Sequence, residues 1–326
     1  MREIAYYEAK LEALREILAA DERVHLITDT TTGFLGLSPQ RTRFREIAER
    51  YPERVISPPI SELASCGLGI GAAMAGLRPV VDVVTASFIF EAWPQVVNEA
   101  ANAFYMSGGQ TRAPVVFHVL HGLRGGGAAQ HSHSPQAMLW NAPGLEIVLP
   151  SSPRDVKGLL KTAVSTDNPT VFLDHGLLFD VRGPVPENDE RIPFGQADIK
   201  RKGKDVTVIA TSYMVQRSLT VADRLASEGI DVEVVDPRTL VPLDFATLLA
   251  SVEKTRRVVI VDECRQSCGV AAELAARIAE AGFDKLKAPV RRVTTLDVPV
   301  PFSRPLEDFI SPSEARITEA IRAALR

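Results

Sequence analysis

The chain has 326 residues, 45% of them apolar, and a formal net charge of -4. That length supports two domains and a core that takes roughly three quarters of the unfolded surface out of water, and the composition excludes a disordered chain. The acidic balance argues against nucleic acid, because the one basic cluster, Lys200, Arg201, Lys202 and Lys204, reads as a solvated turn and a nucleic-acid footprint needs a broader face.

The N-terminal stretch 1–20 mixes charges with apolar residues at helical spacing, so it is neither a signal peptide nor a membrane span. Tyr7, Leu11, Leu14 and Leu18 mark the apolar face of a first helix, Val24–Ile27 a strand, and Phe44, Ile47, Ala48 and Tyr51 a second helix. Val80–Val84, Val115–Val119 and Ile147–Leu149 are predicted buried strands. Ser152 caps a helix with Pro153 at its first position, and Val156, Leu159, Leu160 and Ala163 form its stripe. Val171–Leu173 closes the first half.

From Gly183 to Gly203 the alternation lapses into prolines and a charged run, as in a linker. It resumes with a strand at Val206–Ala210 and a helix lined by Val215, Leu219, Ala222 and Leu225 that Gly229 stops. Strands follow at Val232–Val235, Val258–Val261 and Arg292–Thr295, and Ser311, Pro312 and Glu314 are expected to open the last helix as a capping box. The expected class is α/β, with two doubly wound domains at 1–185 and 205–326 joined by a linker at 186–204.

Several positions invite chemistry. Gly67, Gly69 and Ala72 match a relaxed dinucleotide fingerprint, but Ser57-Pro58-Pro59-Ile60 already makes the turn and Ser61 the cap. The glycines therefore fall inside a helix, where they suit close packing against a sheet or a second subunit better than a pyrophosphate. Glu62 lies in the first turn of that helix, and on spacing alone it reads first as a residue that complements the dipole. His131 follows Gly125-Gly126-Gly127 on an expected mobile, exposed loop, where a functional and a plain surface histidine are equally good readings. His133 beside it raises the thought of a metal, but no carboxylate or cysteine is near in sequence. The three cysteines, Cys66, Cys264 and Cys268, cannot all pair and lack zinc spacing, which points to a reducing cytoplasm and to no metal site.

The order of these motifs says more than any one of them. Pro59-Ile60-Ser61-Glu62, Gly71-Ala72-Ala73-Met74-Ala75-Gly76-Leu77-Arg78-Pro79, Tyr105-Met106-Ser107-Gly108-Gly109 and Ala129-Gln130-His131-Ser132 occur in succession. Asp236-Pro237-Arg238-Thr239-Leu240-Val241-Pro242 and Asp297-Val298-Pro299-Val300-Pro301 follow in the second half. Together they resemble the beta subunit of the thiamine-diphosphate-dependent 2-oxo-acid dehydrogenases, over nearly the whole chain.

The resemblance implies a transketolase-type pyrimidine-binding domain followed by a transketolase C-terminal domain. It implies that Glu62 hydrogen-bonds a ring nitrogen of the aminopyrimidine of thiamine diphosphate and so shifts the exocyclic amine toward its imino form. Phe88 matches the aromatic that stacks on that ring, and Ile60 and Val84 its apolar neighbours. Asp29 and Glu91 match positions beside the pocket where the family more often carries Glu and Gln. His131 matches a loop histidine that assists proton or acyl transfer, help of a kind that contributes roughly a hundredfold to ten-thousandfold.

The diphosphate and Mg²⁺ are expected on an alpha partner, because the chain lacks the Gly-Asp-Gly motif that holds them. The implied assembly has two alpha and two beta subunits and serves a lipoyl acyltransferase core, with no membrane and no nucleic acid. Met138 and Asn141 stand where many members have Trp and His, and 30–38 departs from the usual pattern. Substrate and acceptor therefore stay open between a dehydrogenase and a two-subunit carboligase of the acyloin-synthase or transketolase type. A non-catalytic scaffold fits less well with Glu62 and His131 both present. A structural monovalent cation near Ala163–Asn168 is suggested by the resemblance alone.

Overall fold

The computed structural model describes residues 1–29 and 33–326, so Thr30–Thr32, at the start of the divergent 30–38 stretch, lie outside the described residues. The chain forms two compact units: Met1–His121 with Leu139–Phe194, and Gly122–Met138 with Gly195–Arg326. The segment 122–138 thus joins the second unit although it falls inside the span 1–185. The stretch 186–204 is divided between the two units and contains a strand.

In chain order the elements up to residue 194 are β1 (Arg2–Ala5), α1 (Tyr6–Ala20), β2 (Val24–Ile27), α2 (Arg45–Arg50), β3 (Val55–Ile56), α3 (Glu62–Met74), β4 (Arg78–Thr85), α4 (Ala103–Met106), β5 (Val116–His121), α5 (Gln136–Trp140), β6 (Glu146–Val148), α6 (Pro153–Ser165), β7 (Thr170–His175) and β8 (Arg182–Val185). Within the first unit the sheet runs β6-β7-β5-β4-β2-β3, every pair parallel. All six residues of β5 and of β7 are buried, as expected of parallel strands covered on both faces. β1 and β8 pair antiparallel in a separate ribbon.

Helix α1 buries the expected Leu11, Leu14 and Leu18, but its buried face is wider and shifted at its start. Tyr6, not Tyr7, is buried, and Lys10 enters the buried stripe beside Leu11 and Leu14. The cause is polar: the Tyr6 hydroxyl and the Lys10 ammonium both reach Asp174 on β7. Helix α6 follows expectation, with Ser152 Oγ accepting from the Asp155 amide and Pro153 opening the helix. In α3 the Ser61 hydroxyl accepts from the Ala64 amide, and the glycines lie within the helix. A Cβ at Gly69 would sit 2.4 Å from Val81 Cγ2, whereas one at Gly71 would meet nothing within 4 Å. Gly69 therefore lets α3 lie close on β4, while Gly71 belongs to the helix's open side.

The second unit holds β9 (Asp198–Arg201), β10 (Val206–Ala210), α7 (Tyr213–Ala226), β11 (Val232–Asp236), β12 (Thr239–Val241), α8 (Phe245–Thr255), β13 (Val258–Arg265), α9 (Val270–Gly282), β14 (Arg291–Thr295), α10 (Arg304–Ile310) and α11 (Glu314–Leu325). Its sheet runs β14-β13-β10-β11-β9, parallel except for the antiparallel edge strand β9. Val208, Val215, Val234, Val259 and Ile317 lie in one buried cluster. The last helix is capped by Ser313, whose hydroxyl accepts from the Arg316 amide, and not by Ser311. Ser311 instead closes α10 and donates to the Asp308 carbonyl. Among the described residues no helix is long and apolar enough to cross a membrane.

Candidate active site

Strands β2, β3 and β4 are neighbours in register, with Ile27 opposite both Ile56 and Val81. In open parallel sheets ligands meet the crevice outside the carboxyl ends of the strands. Six of the expected site residues emerge at this one edge. Asp29 follows β2, Ile60 and Glu62 follow β3, Val84 lies at the end of β4, and Phe88 and Glu91 lie in and after the short 3₁₀ turn Ala86–Phe90. Ile60 is 94% exposed, Glu91 is exposed, and Asp29, Glu62, Val84 and Phe88 are half-buried.

Glu62 occupies the first position of α3. Among the described residues no hydrogen bond or ion pair engages its half-buried carboxyl. Burial, aided by the Glu62 charge one turn away, pushes the Cys66 thiol up to about 12, which leaves that cysteine a small inert core residue.

Beneath this edge lies a set of buried charges that sequence reasoning missed. His118 on β5 sits between two carboxylates, with Nδ1 2.9 Å from Asp82 Oδ1 and Nε2 3.2 Å from Asp174 Oδ2. Asp174 also accepts from Lys10 and from the Tyr6 hydroxyl. Burial pushes the Asp82 and Asp174 carboxyls up. For Asp82 the hydrogen bond and charge of His118 outweigh burial, and for Asp174 the charge of Lys10 and the His118 bond do so; both are held below the usual carboxylate range. Burial lowers His118, but its bonds to Asp174 and Asp82 prevail and raise it. The legible signal was weak: one aspartate inside the apolar run Val80–Val84 and one lysine on an apolar helix face.

His131 lies in the second unit, on a loop that is exposed as expected and is tied by hydrogen bonds. The Gly125 and Gly126 amides donate to Glu307 Oε1 and Oε2 at 2.6 and 2.9 Å. Both glycines have positive φ, +78 and +96, which aims their amides at one carboxylate. The Arg124 guanidinium donates to the His131 carbonyl at 2.5 Å. In the same unit a cavity of about 590 Å³ is lined by Ala129, His133, Arg265, Ser267, Asp297 and Val300, among others. Asp297 accepts from the Ser267 amide and hydroxyl at 3.1 and 2.6 Å. Burial and the Arg265 charge lower His133. No group of three or more His, Cys, Asp or Glu residues that could hold a metal occurs among the described residues, and the three cysteines are unpaired. Near Ala163–Asn168 the Val164 and Thr166 carbonyls accept from Arg78 at 3.0 and 2.7 Å.

A parallel sheet with a carboxyl and an aromatic at one edge, followed by a second, mostly parallel α/β unit, defines a two-module α/β protein. Residues 2–178 match the family model for the transketolase pyrimidine binding domain, and 195–317 match that for the transketolase C-terminal domain. The chain belongs to the transketolase-like family of thiamine-diphosphate-dependent 2-oxo-acid dehydrogenase beta subunits. It is 40% identical to the pyruvate dehydrogenase E1 component subunit beta of Rickettsia felis, over 98% of each chain. It is 38% identical to the acetoin:2,6-dichlorophenolindophenol oxidoreductase subunit beta of Cupriavidus necator, over 97% of this chain and 95% of that one. A solved split-gene transketolase, described as an inactive beta4 tetramer, superposes with a TM-score of 0.81 at 24% identity, covering 99% of this chain and 98% of that one; this likeness establishes the fold. The edge brings together a carboxyl, an aromatic ring and apolar side chains, a chemistry compatible with the pyrimidine end of thiamine diphosphate.

Proposed function

We propose that the chain is the beta subunit of a decarboxylating 2-oxo-acid dehydrogenase whose active site is shared with an alpha subunit. The observation that carries this reading is the unengaged Glu62 carboxyl at the carboxyl edge of β2, β3 and β4. When bound, thiamine diphosphate supplies the electron sink for loss of carbon dioxide from the 2-oxo acid. In this reading Glu62 holds a hydrogen bond at the pyrimidine ring nitrogen, where the half-buried position strengthens it relative to water. Phe88 covers one ring face, and Ile60 and Val84 keep water from its flanks. Asp29 and Glu91 set the polarity of the rim. His131 holds or delivers a proton as the acyl group passes to a lipoyl acceptor, and Glu307 keeps its loop in place.

The diphosphate and its Mg²⁺ fall to the alpha subunit, in an assembly of two alpha and two beta chains. The exposed Leu63, Leu68, Tyr105 and Met106, with the open side of α3 at Gly67 and Gly71, suit a broad subunit contact. A cytoplasmic location agrees with the three unpaired cysteines.

The test is co-expression with an alpha-type partner, followed by assay of a panel of 2-oxo acids, among them pyruvate and branched-chain acids, and of acetoin, with an artificial electron acceptor. Turnover that requires both chains and thiamine diphosphate, and that passes to a lipoyl domain, is the expected result. Product formed only when an aldehyde is added would move the chain to the two-subunit carboligases. Full activity of this chain alone, without the cofactor, would overturn the proposal.

A further inference from the structure

Two non-glycine residues at the ligand edge have left-handed backbones: Val84, at φ +62, and Phe34, at φ +60. A β-branched residue there is a steric outlier and persists only where its surroundings over-determine it. Both are held by the same buried carboxylate. Asp82 Oδ1 accepts from the Val84 amide at 3.1 Å, and Asp82 Oδ2 accepts from the Phe34 amide at 2.8 Å and the Thr28 hydroxyl at 2.9 Å. The Phe34 carbonyl accepts from Lys10. Asp82 is in turn fixed by His118, which Asp174 and Lys10 hold from the other side. The ladder between β4 and β5 breaks register between Asp82 and Thr85, so beyond Asp82 the regular sheet bonding no longer sets the direction of β4.

We propose that Asp82 and His118 are positioning residues, which lock the backbone turns at Val84 and Phe34 and thereby hold the segment 83–90, with Val84 and Phe88, in the form that receives the cofactor's pyrimidine. The proposal rests on the thiamine-diphosphate reading given above. Both residues are buried beneath the segment they hold. Asp82 acts through two amides, and His118 keeps that carboxylate charged and correctly turned. The geometry is over-determined because four donors converge on the two oxygens of one buried acid: two amides, a hydroxyl and a ring nitrogen.

The experiment uses the full chain co-purified with its alpha-type partner, in wild-type form and as His118→Asn, Val84→Gly and the double variant. Thiamine diphosphate with Mg²⁺ is titrated calorimetrically, and hydrogen–deuterium exchange over 83–90 is followed without cofactor. His118→Asn is expected to speed exchange over that segment and to raise the half-saturating cofactor concentration by about tenfold. Glycine adopts positive φ unaided, so Val84→Gly is expected to cost less binding in the His118→Asn background than in wild type, a non-additive cycle. If His118→Asn does not fold, His118→Gln, which keeps a donor toward Asp82, takes its place in the same cycle. Unchanged exchange and affinity in the folded variant, or strictly additive losses, would overturn the positioning role. Absence of binding by the wild-type assembly would instead overturn the thiamine-diphosphate reading itself.

Discussion

Lys10 and Glu62 are opposite cases at the scale of single residues. Glu62 is an acidic side chain at a half-buried helix start with no hydrogen bond or ion pair to its carboxyl among the described residues, while Lys10 is fully buried with its ammonium on Asp174. Removing one member of a buried ion pair strands the other, at a cost of roughly 3–5 kcal/mol. Lys10→Met is therefore expected to lower unfolding free energy by about that amount, read from urea titration; a loss near zero would mean that the pair contributes nothing net. Glu62→Gln should leave the folding midpoint unchanged and slow proton exchange at the thiazolium carbon of bound cofactor by on the order of a hundredfold or more. Wild-type exchange in that variant would end the role assigned to Glu62. Glu62 could be picked out by its motif order. Lys10 could not, because its partner lies 164 positions away and an amphipathic pattern assigns lysine to solvent by default.

Helix α3 shows at the level of elements how one residue type can serve two surfaces. A methyl at Gly69 collides with Val81 on β4, so Gly69→Ala should destabilise by about 1–3 kcal/mol through overpacking. A methyl at Gly71 meets open space, so Gly71→Ala should be neutral or stabilise the unassembled chain by up to about 1 kcal/mol. If the open side of the helix is a subunit contact, the same change weakens assembly with the alpha-type partner. Thermal midpoints of the chain alone and size-exclusion chromatography of the mixture separate the two effects. The helix, its cap and its internal glycines were readable from sequence; which glycine faces the sheet was not, since that depends on the rotation of α3 over β4. The last helix taught a similar lesson: two serines stood two positions apart, and packing assigned Ser313 to its start and Ser311 to the end of α10.

For the whole molecule the buried charges predict a pH dependence. His118 is raised in the fold, so its contribution is fully present below its ordinary value near 6.5 and lost as pH climbs through the raised one. Asp82 and Asp174 are depressed, so theirs is present above about 4 and lost as pH falls through the folded values. Among the described residues the charged groups facing His118 are Asp82, Asp174 and, across Asp174, Lys10. The difference in thermal midpoint between wild type and His118→Asn should accordingly be widest near pH 5–6 and narrow in alkaline buffer. A constant difference from pH 5 to 9 would show that the ring does not titrate in this range.

Periodicity and turn chemistry act between near neighbours, and so the sequence by itself determined the strand–helix alternation, the α/β class, the Ser61 and Ser152 caps and the ordered motifs that mark the family. Tertiary structure decided what depends on distant partners. The Gly122–Met138 segment joined the second unit because Glu307 binds its glycine amides, Asp262 accepts from Gln136 at 3.2 Å, and Cys264 donates to the Ser134 carbonyl at 3.2 Å. The raised His118 pKa comes from two aspartates on separate strands that flank the ring. Such pairings are set by strand order and desolvation, which no local pattern along the chain encodes.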